Sequence, residues 1–213
     1  MRMRAVGVAL AAGVAWACSG EVRQPTGPES VTLPLVASPA QHAGAAHNDR
    51  THLSGEQEVF TPVPPGGPTP ADSHAQGQAI LQIAEDQQSF DYKLIAANIE
   101  NITQAHIHCG SPTVNGPIVV WLYPSPTSTA ALAGGAGRHD GVLAEGTISA
   151  GTLLHVRPTT NPNCPGGVAT FADVLARIRS GDAYVNVHTN DGVAPTNTGP
   201  GDFPGGEIRG QFR

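Results

Sequence analysis

The chain has 213 residues, including 26 Gly and 19 Pro, and only 13% of them are charged and 5% aromatic. This composition argues against a helical bundle or coiled coil, which needs Glu, Lys, Arg and Leu at helical spacing, and favours short strands joined by turns. The formal net charge is −6 and Lys93 is the only lysine, which argues against a nucleic-acid partner, because such proteins neutralise phosphates with Lys and Arg.

Residues 1–17 have the pattern of a secretory signal peptide, in which a cationic start (Met1 to Arg4) precedes an apolar run that ends at Ala17. The run is shorter than the roughly 20 residues that a membrane-spanning helix needs. Cleavage after Ala17 would give plain secretion, whereas the small residues before Cys18 also resemble a bacterial lipobox. We therefore predict an exported protein, either a cell-envelope lipoprotein anchored to the membrane through lipidated Cys18 or a secreted protein.

Residues 18–52 are rich in Pro, Ser, Ala and His and have no sustained hydrophobic period. Such a segment cannot bury enough apolar surface to offset its chain entropy, so it is interpreted as a disordered tether. Its three histidines are interpreted as solvated side chains, with a metal-collecting tail as the alternative. The remaining residues, 53–213, are predicted to form a single domain.

From Leu53 onward, short strand-like runs alternate with turn residues. Strands are predicted at 79–83, 90–94, 102–108, 118–123, 142–148, 183–189 and 207–212. A helix is predicted near 171–179, because Thr170 and Asp173 form a capping-box pattern, an apolar stripe follows, and Gly181 is placed to end it. The segments 124–141 and 190–206 are predicted to be long surface loops. The pattern indicates an all-β fold, an antiparallel β-sandwich or barrel of about seven to nine strands with one short helix.

Two of the predicted strands carry polar side chains on one face. Residues two apart on a strand point the same way, so His106 and His108 share a face, as do Tyr184, Asn186 and His188. If the two strands are neighbours, three imidazoles converge, and this donor set suits copper or zinc. We predict a candidate metal site at His106, His108 and His188, with a purely structural polar cluster as the alternative.

Other polar residues on these strands and on the last one could orient a ligating ring from behind. These candidates are Tyr184, Asn186, Glu207 and Arg209. Glu207 and Arg209 share a face of the last predicted strand, where ion pairs to a neighbouring strand are the expected arrangement. Glu56 and Glu58 could supply an oxygen ligand, although solvated charges are the favoured interpretation.

The three cysteines divide according to the predicted export. If Cys18 carries lipid, Cys109 and Cys164 remain as a pair in an oxidising compartment, where disulfides persist. A Cys109–Cys164 disulfide is therefore predicted. The alternatives are two independent thiols, or a metal role for Cys109, which directly follows His108.

Five stretches of characteristic sequence occur in a fixed order along the predicted domain, at 53–59, 105–108, 116–120, 184–189 and 206–211. They resemble the CHRD family, the domain first described in chordin and also found in bacterial exported proteins. The resemblance implies a β-sandwich or barrel outside the cytoplasm with no established enzymatic activity. In chordin the domain belongs to a protein that binds extracellular growth factors, a partner that the resemblance does not transfer to this chain.

The sequence contains no G-x-S-x-G elbow, H-E-x-x-H motif or phosphate-binding loop. We therefore expect a non-enzymatic binding or interaction module with an unidentified extracellular or envelope ligand, and with copper or zinc as its candidate cofactor. Two alternatives stay open. One is a metal-dependent redox enzyme, since the H-x-H strand superficially resembles copper/zinc superoxide dismutase, and the other is a purely structural envelope protein.

Overall fold

The computed structural model describes residues 45–62, 65–157 and 160–213. Within them lie eight strands and one α-helix: β1 (Ala45–Ser54), β2 (Gln76–Ala84), β3 (Ser89–Glu100), β4 (Ile102–Cys109), β5 (Ile118–Tyr123), β6 (Arg138–Ser149), α1 (Phe171–Ser180), β7 (Ala183–Thr189) and β8 (Ile208–Gln211). Every strand pair is antiparallel, in the order β5-β4-β7-β8-β1-β2-β3-β6. The sheet curls into a nearly closed barrel, which confirms the predicted fold class.

The two outer strands of this order, β5 and β6, approach each other and nearly close the barrel. The segment after β6 bridges to β5 between Leu153 and Val120, next to a backbone hydrogen bond from Leu154 to the carbonyl of Val119 (2.9 Å). Farther along β5, the hydroxyl of Tyr92 donates to the carbonyl of Leu122 (2.7 Å) and so satisfies an edge acceptor. Where β5 and β6 meet, a side-chain hydrogen bond therefore replaces part of the backbone pairing between strands.

The domain begins before the predicted boundary at Leu53. Residues 45–52, assigned from the sequence to the tether, belong to β1, which pairs with β2 from Ala45 to Ser54. The segment looks unstructured in the sequence because Thr51 is the one buried side chain of residues 48–52. Backbone pairing with β2 holds the rest in place. Residues 18–44 and the predicted signal peptide lie outside the described residues.

The predicted helix is confirmed as α1, together with its caps. The Thr170 hydroxyl accepts a hydrogen bond from the Asp173 amide (3.2 Å), and the Asp173 carboxylate accepts one from the Thr170 amide (2.8 Å). Gly181 ends the helix in the left-handed conformation with φ 79°. Within the described ranges, no α-helix has both the length and the hydrophobicity to cross a membrane.

The hydrophobic core takes one face of the central strands, including Ala105 and Ile107 of β4 and Val185 and Val187 of β7. The opposite face is polar, yet all seven residues of β7 are buried, because the segments 110–117 and 190–206 cover it. The predicted loop 124–141 is shorter than expected, since β6 begins at Arg138 and pairs with the far end of β3. The first residues of β6 are polar, so the sequence pattern does not extend the predicted strand back to Arg138.

Candidate metal centre

The three predicted histidines lie together on the polar face of the sheet. β4 and β7 are antiparallel neighbours, with Gln104 opposite His188 and His106 opposite Asn186. Potential ligand atoms of His106, His108 and His188, here called the histidine triad, all lie within 4.8 Å of one another. His106 Nδ1 and His188 Nε2 are hydrogen-bonded at 3.2 Å, a distance that is also close to the roughly 3.4 Å expected between two nitrogens of a tetrahedral zinc site. The structure therefore brings together all three residues.

Two rings of the triad are oriented by backbone carbonyls from the covering segments. His108 Nδ1 is 2.8 Å from the carbonyl oxygen of Gly116, and His188 Nδ1 is 2.9 Å from that of Pro204. A carbonyl only accepts, so each Nδ1 carries the proton and each Nε2 presents a lone pair. The same arrangement fixes the tautomer of metal-binding histidines in general.

The triad is buried, with exposed fractions of 0% for His106, 7% for His108 and 6% for His188. Burial, followed by the neighbouring rings of His188 and His108, lowers the pKa of His106 to about 2. Burial likewise lowers the pKa of His108 to about 3 and that of His188 to about 4, although hydrogen bonds to Gly116 and Pro204 oppose the shift. All three rings are therefore neutral at physiological pH, the state in which imidazole binds metals.

Aromatic rings confine the triad on two sides. The ring of Trp121 meets the edge of His106 at 4.2 Å between centroids and 89° between planes. His108 stacks on Tyr184 at 4.8 Å and 9°. The guanidinium carbon of Arg209 lies 3.4 Å from the centroid of Tyr184, a cation–π contact. The rotation of His106 and His108 is therefore restricted by packing as well as by hydrogen bonds.

Residues 50–212 match the CHRD domain. The chain belongs to the CHRD family. Comparisons with curated proteins and with solved structures found no match. The matched range includes the whole histidine triad and both covering segments. Membership indicates a non-enzymatic extracellular module.

Two of the four candidate orienting residues hold the 110–117 segment of the CHRD domain in place. Arg209 donates to the carbonyls of Ser111 (2.9 Å) and Val114 (3.1 Å). The Tyr184 hydroxyl accepts a hydrogen bond from the amide of Gly116 (3.1 Å). Both side chains thus position the carbonyl that orients His108.

Glu207 holds the other covering segment and does not make the expected ion pair. Its buried carboxylate accepts hydrogen bonds from the hydroxyls of Thr189 (2.6 Å) and Ser73 (2.5 Å) and from the amide of Gly201 (2.8 Å). Arg209 likewise bonds carbonyl and amide oxygens. The ion-pair prediction is wrong because loops, and not a further strand, cover this face and offer neutral partners.

Glu58 lies at this site although the sequence favours a solvated charge for it. The sequence offers it, together with Glu56, as a possible oxygen ligand and favours a solvated charge, but residues 55–57 form a 3₁₀ turn that leaves Glu56 exposed and directs the Glu58 carboxyl inward. Glu58 Oε1 is buried without a hydrogen-bond partner. Burial raises the pKa of Glu58 to about 8, against the opposing effects of the Arg209 charge and of the Asn186 side chain. No signal in the alternating pattern marks such a residue.

The predicted disulfide of the CHRD domain is confirmed. Cys109 and Cys164 are bonded, with 5.4 Å between their Cα atoms, and together they close a span of 55 residues. Cys109 lies on the core face of β4, the face opposite His108. It therefore does not take the alternative role of metal ligand. Cys18 lies outside the described residues.

Within the part of the chain that the structure describes, the triad is the one group of three or more histidine, cysteine or acidic side chains close enough to share a metal ion. His139 is not part of this group; its Nε2 lies 3.3 Å from the carbonyl oxygen of Gly141. The described residues thus offer a single mononuclear site.

Proposed function

We propose that this CHRD domain is a non-enzymatic module that acts outside the cytoplasm and binds one copper or zinc ion through His106, His108 and His188. One observation carries the proposal: three buried neutral imidazoles converge, and backbone carbonyls leave the Nε2 lone pairs of His108 and His188 to face the other rings. The ion would replace the hydrogen bond that now joins His106 Nδ1 and His188 Nε2. An all-nitrogen donor set of this kind suits Zn²⁺ and Cu²⁺.

The unsatisfied polar atoms around the triad support this proposal. Nε2 of His106 and Nε2 of His108 are both buried without a hydrogen-bond partner. Buried polar groups are almost always paired, and an exception calls for an unobserved water or ion. His108 and His188 would bind an ion through Nε2, since Nδ1 of each is committed to a carbonyl.

The burial of the triad favours binding over turnover. A catalytic metal site keeps one coordination position open to substrate, whereas His106 is completely buried and the covering segments lie over the other two rings. An enclosed ion would stabilise the domain or be carried by it. An assay of superoxide or peroxide turnover by the metal-loaded protein separates this function from a redox enzyme.

The cellular location is part of the proposal and rests on the sequence of residues 1–18. We expect the mature protein to begin at Cys18 with a lipid attached, or to be secreted after cleavage at Ala17. Mass spectrometry of the protein from its native compartment distinguishes these two forms by the mass of its N-terminal peptide.

Metal titration of the purified protein tests the binding function. The wild type is expected to bind one equivalent of Zn(II) or Cu(II), and the His106→Ala/His108→Ala variant is expected to bind none at this site. A matched control is His52→Ala/His155→Ala, which removes two exposed histidines. Equal binding by all three proteins, or no binding by a folded wild type, would overturn the proposal.

A further inference from the structure

The amide of Asn186 lies between the histidine triad and the buried carboxyl of Glu58. Asn186 is directly opposite His106 in the β4–β7 register and shares its face with His188. Its Oδ1 is buried without a hydrogen-bond partner, as are the Nε2 atoms of His106 and His108. Glu58 Oε1 is also buried without a partner, so four such polar atoms occur in one small region of the polar face.

The position of Glu58 defines which way the amide is turned. A Cβ placed on Gly206 would lie 2.5 Å from Glu58 Oε1 and 2.8 Å from Asn186 Nδ2, so these two atoms are neighbours above that glycine. The Asn186 side chain also lowers the pKa of Glu58, as a nearby N–H donor does. The nitrogen end of the amide therefore faces Glu58, and Oδ1 is directed away from it, toward the triad.

This orientation brings two acceptors together. His108 carries its proton on Nδ1, because Gly116 accepts from that atom, so His108 Nε2 has only a lone pair to offer. Asn186 Oδ1 is also only an acceptor, and its side chain interacts with His108. Two buried acceptors with no donor between them are unfavourable, and a cation in that space would satisfy both.

We propose that Asn186 Oδ1 is a fourth donor to the ion held by the histidine triad, and that Glu58 is the positioning residue that keeps this oxygen turned toward it. The inference rests on the proposed metal-binding function and deepens it. Three imidazole nitrogens and one amide oxygen complete the four-coordinate set that zinc-type ions adopt. Glu58 then acts as the outer partner that orients a ligand, a role that commonly changes metal affinity 10–100-fold.

Binding of Co(II) alone, followed by its visible absorption and by competition with a chelator, tests the inference. Asn186→Ala is expected to weaken Co(II) binding about 10-fold or more and to change the spectrum, because water would replace the amide. Asn186→Asp keeps an oxygen donor and is expected to retain tight binding. Glu58→Ala is expected to weaken binding about 10–100-fold, whereas Glu58→Gln keeps an acceptor for Asn186 and is expected to behave like the wild type. Far-UV circular dichroism verifies that each variant is folded.

The outcomes separate this inference from the proposed function. If folded Asn186→Ala binds Co(II) with the wild-type affinity and spectrum while His106→Ala/His108→Ala does not bind, Asn186 is not a donor and the three-histidine site stands. The opposite amide orientation, with Nδ2 donating to His108, predicts that result. If the wild type itself binds no Co(II), Zn(II) or Cu(II), both proposals fail together.

Discussion

Acidification should destabilise the metal-free domain through the histidine triad. The folded-state pKa values of about 4 or below lie beneath the value of about 6.5 that a histidine has in the unfolded chain. Below pH 6.5 the unfolded state therefore takes up protons that the folded state does not. The stability that these neutral rings contribute is complete above pH 6.5 and is lost as the pH falls toward their folded pKa values.

The size of the effect follows from these values. Each ring lowers the free energy of unfolding by about 2 kcal/mol between pH 7 and pH 5, so the triad loses about 6 kcal/mol. Glu58 acts in the opposite direction, because its folded pKa of about 8 exceeds its unfolded value and its stability contribution grows on acidification, here by about 2–3 kcal/mol. The expected net loss is about 3 kcal/mol, a large fraction of the stability of an ordinary domain.

Urea unfolding at pH 7, 6 and 5 measures this loss, with a chelator present to remove metal and Trp121 fluorescence as the signal. With an m-value of about 1–3 kcal/mol/M, the midpoint should fall by about 1–3 M between pH 7 and pH 5. Glu58→Gln removes the opposing contribution, so its midpoint should fall about twice as far. His52→Ala/His155→Ala should follow the wild type. A wild-type midpoint that stays constant over this range would refute the assignment of three buried neutral rings.

Three further results are expected. Cys164→Ser should destabilise the domain by about 4 kcal/mol in the chain-entropy account of a 55-residue span; an unchanged melting temperature would contradict this. Truncation before Glu207 removes β8 from between β7 and β1 and should abolish cooperative unfolding, whereas a truncated chain that still melts cooperatively would refute the role of β8. Thr189→Val removes the hydroxyl that donates to Glu207 and accepts from the Phe203 amide, and should destabilise the domain by about 1–3 kcal/mol in urea unfolding. Thr103→Val removes a single longer hydrogen bond, 3.3 Å to the carbonyl of His188, and should cost less; an equal loss in both variants would contradict the role of Glu207 as partner.

The alternation of side chains along the strands predicts which residues form the site, but it does not predict that their two strands are neighbours. The two-residue period placed His106 and His108 on one face and His188 on the polar face of its own strand, and the structure agrees. Periodicity contains no information about strand order, so the adjacency of β4 and β7 came only from the structure. The carbonyls of Gly116 and Pro204 belong to irregular segments, whose backbone direction no side-chain pattern encodes.

The misjudged residues share a physical cause. The sequence places residues 45–52 of β1 in the tether because their pairing depends on backbone hydrogen bonds and residues 48–52 bury little apolar surface. The sequence favours a solvated charge for Glu58 because no side-chain pattern reveals the 3₁₀ turn that redirects its carboxyl. In both cases tertiary contacts, and not local preference, decide the outcome.

The placement of β8 between β7 and β1 has a consequence for the rate of folding. The hydroxyl of Thr51 in β1 donates to the carbonyl of Gln211 in β8, 160 positions away. The middle of the sheet therefore joins segments that are remote along the chain, and the entropy of closing so long a loop is lost before these contacts form. Domains dominated by such non-local pairing fold in milliseconds to seconds. The chain therefore stays unfolded after synthesis for longer than a domain of mainly local contacts would.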